Sequence, residues 1–130
     1  MNNYQQQYIN DWLSSFKNYI STAKDEVDTL LASPSATAQD KYYLIQFREK
    51  LTSRDVIDVE KDLTEGKVKV STINKIDKLN KDLIDIAWDH FLDSPYLRQS
   101  LKGMAHLQED LLKNAAIQRL KILQIPIYEG

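Results

Sequence analysis

Apolar side chains recur at Tyr8, Trp12, Phe16, Tyr19, Ala23, Val27 and Leu30, with Ile9, Leu13, Ile20 and Leu31 widening the stripe. Steps of three and four residues over this distance predict an amphipathic helix from about Asn3 to Ala32. Ser21 and Thr22, followed by Asp25 and Glu26, carry helix-start chemistry in its middle, so one long helix and two helices with a kink both fit. Ser33, Pro34 and Ser35 end the segment, because proline cannot continue the hydrogen-bond ladder. Thr37 is the expected N-cap of the next helix, with Asp40 three residues on. Its core face reads Tyr43, Leu44, Phe47 and Leu51, continuing to Val56, Val59 and Leu63 unless Ser53 and Asp55 start a separate short helix. Gly66 is the stop signal in both cases.

Lys67 to Val70 alternate charged and apolar, a pattern that suits an edge strand but is too short to build a sheet alone, and a docked connector is the expectation. Ser71 or Thr72 is expected to cap a helix with the face Ile73, Ile76, Leu79, Leu83, Ile86 or Ala87, and Phe91. Ser94 and Pro95 restart a last helix running to about Leu123, with Leu97, Leu101, Met104, Leu107 or Gln108, Leu111, Ala115 and Leu120 on its face. Pro126 ends regular structure, and Ile127 and Tyr128 are apolar enough to dock. Helices joined by connectors this short predict an all-α fold, a four- or five-helix bundle or orthogonal helical array, as a single domain over residues 1–130.

Composition narrows the chemistry. With no cysteine, the chain has neither a disulfide framework nor a thiolate site or nucleophile. No stretch of about 18 apolar residues is present to span a membrane, and the polar N-terminus lacks a secretory pattern, so a cytoplasmic location is expected. His90 and His106 lack the paired Glu-x-x-His spacing of a di-metal bundle, and no metal or other cofactor is expected. The serines lie mostly at helix boundaries, where capping explains them, and Gly66, Gly103 and Gly130 cannot form a phosphate loop. Ile76-Asp77 and Leu83-Ile84-Asp85 are similar to the first helix of all-helical chorismate mutases, but that chemistry needs converging arginines and none stands between Arg54 and Arg98. The expectation is a protein that is not an enzyme.

Charge is distributed unevenly. Residues 1–40 are net minus three, residues 41–82 net plus two, and the whole chain minus two. In the middle region Lys67, Lys69, Lys75, Lys78 and Lys81 have only Asp77 and Asp82 as sequence-local acids, which makes a candidate basic interaction face. Reversing charge at Lys75 and Lys78 together is then expected to weaken association without unfolding the chain. Near-balanced charge argues against nucleic acid as the partner, whereas an acidic first segment and a basic middle suit a head-to-tail contact between copies or with a protein partner. Tyr4 and Tyr8 belong to an N-terminal aromatic stripe whose default place is the core, Tyr4 least so, and both are candidates for an interface.

Glu60-Lys61-Asp62, Gly66, Asn74-Lys75-Ile76 and Asp82-Leu83-Ile84-Asp85 together resemble a bacterial effector-associated domain over residues 20–87. Lys75 replaces an arginine of that pattern, and Asn80 and Lys81 stand where the family prefers leucine. The resemblance implies a small helical adaptor without catalysis of its own, recruiting partners in prokaryotic conflict or immunity systems. Two other readings are a bundle with a small-molecule or lipid pocket between its helices, and a small immunity-type inhibitor.

Overall fold

The computed structural model describes residues 1–91, 94 and 115–129. Its elements are α1 (Asn3–Leu31), α2 (Ala38–Leu51), α3 (Arg54–Thr64), β1 (Val68–Lys69), α4 (Val70–Phe91), α5 (Ala115–Ile122) and β2 (Ile127–Tyr128). The fold is all-α, a helical bundle with a single pair of very short strands among the described residues. His106, Gly103 and most of the helix expected after Ser94 lie outside the described residues, as do the side chains of His90, Phe91, Ala115, Ala116 and Ile117.

α1 is one unbroken helix of 29 residues. Ser21 and Thr22 are exposed on its outer side, while Tyr19, Ile20, Ala23 and Val27 keep the buried stripe in phase across them. With no glycine or proline to break the ladder, tertiary burial outweighs the few tenths of a kcal/mol that a serine or threonine costs within a helix. α2 starts as expected: the Asp40 backbone N–H donates to Thr37 Oγ1 at 3.1 Å, and the Thr37 N–H donates to Asp40 Oδ2 at 2.9 Å, a reciprocal capping box. Thr52 and Ser53 interrupt the next stretch, so α2 and α3 are separate helices.

α1 and α4 each pack along both α2 and α3. Leu44, Phe47, Leu51, Val56, Val59 and Leu63 of the middle pair are buried between Ile9, Trp12, Phe16 and Val27 of α1 and Ile76, Leu79, Leu83 and Ala87 of α4. Tyr43, expected in the core, is half-buried and packs edge-on against Tyr42.

α3 and α5 end in the same way. After α3, the Gly66 N–H donates to the Leu63 carbonyl and the Lys67 N–H to the Asp62 carbonyl, with Gly66 at φ 71°. After α5, the Gln124 N–H donates to the Lys121 carbonyl and the Ile125 N–H to the Leu120 carbonyl, with Gln124 at φ 56°. Both are Schellman terminations, which reverse the chain out of the helix through one left-handed residue. The two exits lead into β1 and β2, which pair in parallel with Val68 opposite Ile127 and Lys69 opposite Tyr128. Within the connector expected at Lys67 to Val70, Val68 and Lys69 form a short strand, because the C-terminal tail supplies the partner it lacked. α4 also begins before Ser71: the Lys69 N–H donates to Thr72 Oγ1 at 3.1 Å, so Thr72 stabilises the helix start from within its first turn.

Candidate functional site

Three of the five lysines of the expected basic face, Lys69, Lys75 and Lys78, join Lys50 of α2 in a row of ion pairs whose acids are mostly on α3. Lys50 lies 3.5 Å from Asp82, Lys78 3.8 Å from Asp55, Lys75 3.1 Å from Asp58, and Lys69 3.5 Å from Asp62. Positions fall on α4 and β1 as they rise on α2 and α3, so α4 runs antiparallel to the α2–α3 pair and the ion pairs form a ladder along the seam. Lys78 also reaches Asp82 on its own helix at 4.0 Å. At the bottom rung Asp62 is buried, and Thr72 Oγ1 donates to its Oδ2 at 2.6 Å. A hydrogen bond from Lys75 holds the Asp58 carboxyl below the ordinary carboxylate range. Lys67 turns to the other side, its Nζ 5.9 Å from the centre of the Tyr128 ring. Lys81 is exposed and in no ion pair among the described residues.

Tyr4 and Tyr8 lie at the end of the bundle where the chain's first, middle and last described segments meet. Gln5 Nε2 donates to the carbonyls of Leu123 at 2.8 Å and Gln124 at 3.2 Å, which fastens the start of α1 to the end of α5. Tyr8 stacks on Trp12 at 6.4 Å, and partial burial pushes its hydroxyl up against the opposing pull of Arg119 on α5. Tyr4 is 82% exposed one turn before Tyr8, and Ile122 is 70% exposed one turn beyond Arg119. Ile127 and Tyr128 of β2, Val70 just after β1, and Met1 beside Gly66 are exposed at the same end. This apolar, aromatic surface is built from three distant parts of the sequence. Arg119 and Lys121 flank it, both exposed and in no ion pair among the described residues.

The side of the bundle around the Lys50–Asp82 rung has a different character. Between α2 and α4 an open depression of about 390 Å³ is lined by Gln46, Glu49, Lys50, Asp82, Asp85 and Ile86. Tyr42, 60% exposed, and Ile45 project beside it from α2. Glu49, Asp85 and Asp89 around it are exposed and in no ion pair among the described residues. Two further depressions are also open: one of about 340 Å³ over the lower rungs, including Lys61, Glu65 and Ser71, and one of about 420 Å³ along α4, including Asn74, Lys81 and Ile84.

Among the described residues no group of three or more histidine, aspartate and glutamate side chains is placed to hold a metal ion, and no helix is long and apolar enough to cross a membrane. Of the sequence-derived candidates, the fold gathers Tyr4, Tyr8 and Lys67 at one end and sets Lys69, Lys75 and Lys78 into the seam. Sequence reasoning missed Ile122, Arg119 and Lys121 as members of a surface, because nothing local to α5 indicates that it lies beside the start of α1. The only sequence signal was that Ile122 stands off the apolar stripe of its own helix. No family model, no curated protein and no solved structure matches the chain.

Proposed function

We propose that this protein is a non-enzymatic helical protein–protein interaction module acting in the cytoplasm as an adaptor or regulator of a bacterial defence or conflict system. The observation that carries the reading is the exposed apolar surface at the terminal end, where Tyr4, Ile122, Ile127 and Tyr128 converge. Burying large apolar side chains is the main driving force of folding, so a cluster left outside is a surface suited to association, and tyrosine is among the residues that dominate contact energies. The sequence resemblance over residues 20–87 supplies the adaptor role. The depressions are open and lined by charge, which favours contact with a macromolecule over enclosure of an apolar ligand.

Binding to the products of adjacent genes, measured by calorimetry, tests the reading. Tyr4→Ser with Ile122→Ser should weaken the complex by roughly 10-fold or more while the circular dichroism spectrum and melting temperature stay unchanged, because both side chains are exposed. Full affinity in that variant would exclude this surface. The Lys75 and Lys78 reversal is no longer a neutral test, since it would place like charges against Asp58 and Asp55.

A further inference from the structure

We infer that residues 125–128 form a strap that swings out about Gln124 while α5 stays in place, and that the vacated edge of β1 then takes an extended apolar segment of a partner protein. The acceptor role rests on the reading of the protein as an interaction module and names the kind of segment it takes; the swing itself does not depend on that reading.

The chain is held firmly up to Gln124 and weakly after it. Leu120 of α5 is fully buried, and Gln5 Nε2 donates to the carbonyls of Leu123 and Gln124, so the clamp from α1 closes on the last residues before the turn. Beyond the turn, Ile125 is buried while Pro126, Ile127, Tyr128 and Glu129 are exposed. The remaining hold is the two-residue pairing of β2 with β1 and the Lys67 ammonium beside the Tyr128 ring. Few buried contacts and surface backbone bonds are the marks of a segment that opens by itself.

Sequence sets both the hinge and the stiffness of the moving part. Gln124 holds a left-handed φ of 56°, which is unfavourable for a residue with a β-carbon and is relieved when the turn straightens. The same turn places the Ile125 N–H on the Leu120 carbonyl, so swinging out breaks that bond and leaves the Leu123 N–H on the Arg119 carbonyl. Pro126 fixes its own φ and favours an extended Ile125, so the strap moves as one extended piece.

The strap itself shows what the edge accepts: an extended segment running parallel to β1, with a branched apolar residue in the seat of Ile125 and an aromatic ring toward Lys67. The Lys69 N–H is already bonded to Thr72 Oγ1, which keeps the chain at β1 anchored to the start of α4 when the strap leaves. Main-chain pairing with a sheet edge, with pockets for alternate side chains, is a recurrent way of recognising extended peptides. The strap competes for the edge from within the chain, at an effective concentration on the order of millimolar, so a partner segment binds only as far as the strap is open.

Native-state hydrogen exchange of the full chain tests the swing. The Ile125 amide should exchange at least about 10-fold faster than the Leu123 amide, at a rate that low denaturant leaves unchanged. Exchange of both through one common opening overturns the hinge. Gln124→Gly, which removes the strain of the closed turn, should slow Ile125 exchange roughly 2- to 5-fold, and no slowing counts against Gln124 as the pivot. A fluorescent peptide with the sequence of residues 123–129, followed by anisotropy, tests the acceptor edge. Full-length Ile125→Ser, checked for folding by circular dichroism, should bind it roughly 10-fold or more tightly than wild type, because its own strap no longer fills the seat. Gln124→Gly should bind it roughly 2- to 5-fold more weakly than wild type. Equal binding by all three proteins, or binding by none, overturns the acceptor edge, while the reading as an interaction module is judged separately by the Tyr4 and Ile122 variant.

Discussion

Gln124 adopts a left-handed backbone angle at the end of α5, a conformation that glycine reaches at no steric cost and that Gly66 adopts at the end of α3. Its side chain is exposed and its contribution to the turn is made by backbone groups, the N–H to the Lys121 carbonyl and the carbonyl to Gln5. Gln124→Gly should therefore raise stability by about 0.5–1 kcal/mol, seen as a higher denaturant midpoint at unchanged slope. A loss of stability would mean that the glutamine side chain contributes something the backbone does not. Gly66 was readable in the sequence as a stop signal. Gln124 was not, because glutamine carries no turn signature, although the expected helix end at about Leu123 lies one residue from the observed end at Ile122. Asn80 is a second such residue: it is buried in α4 with its Oδ1 unpartnered. A buried acceptor without a donor costs about 1–3 kcal/mol, so Asn80→Leu should stabilise the fold in a thermal melt.

At the scale of elements, the seam between α3 and α4 shows where local reading succeeds and where it stops. The apolar periodicity of both helices was legible and correctly placed Val56, Val59, Leu63, Ile76, Leu79 and Leu83 inside. The ladder was not, since Asp58 and Lys75 become neighbours only once the turn at Gly66 and the pairing of β1 have fixed the antiparallel register. Asp58 titrates below its ordinary range in the folded chain, chiefly through the hydrogen bond from Lys75. Its stabilising contribution is therefore complete above the carboxylate range of the unfolded chain, and is lost as pH falls through the lowered folded value. Lys75→Met should return the Asp58 titration toward the ordinary value, measurable from its carboxyl carbon by NMR, and flatten the acid side of the stability profile. An unmoved Asp58 would show that Arg54, which also bonds it at 3.2 Å, is the controlling partner.

For the whole molecule, the net charge conceals a rearrangement. The sequence divides into an acidic first segment and a basic middle, yet the fold cancels much of both: Asp40 is taken up in the α2 cap, Asp28 by Arg48 at 2.7 Å, and the middle lysines by α3. The exposed charges outside those pairs are of both signs on α1, α2 and α4, whereas Arg119 and Lys121 of α5 are both basic. Segment arithmetic could show that charge was unevenly distributed along the chain, but not which charges would be left facing solvent. The aromatic stripe of α1 followed its expectation, including the exposed place of Tyr4. Trp12, Phe16 and Tyr19 went to the core as periodicity predicted, while Tyr4, one turn before Tyr8 on the same stripe, lies beyond the reach of α3 and is left in solvent.

The pairing of β1 with β2 has a consequence for chain connectivity. Because Val68 faces Ile127 and Gly66 sits beside Met1, the first and last described residues are neighbours in space although they are the most distant in sequence. A short glycine-rich link could therefore join them, with new ends opened at Pro34 and Ser35 between α1 and α2, where both residues are exposed. Such a permuted chain should fold to the same helical content and melt cooperatively. In it, the start of α1 and the end of α5, which Gln5 ties together across 118 residues, would be joined through a short link, and refolding should be faster in proportion to how late that contact forms in the natural order. A permuted chain that refolds at the original rate would place the docking of Gln5 on the end of α5 outside the limiting step.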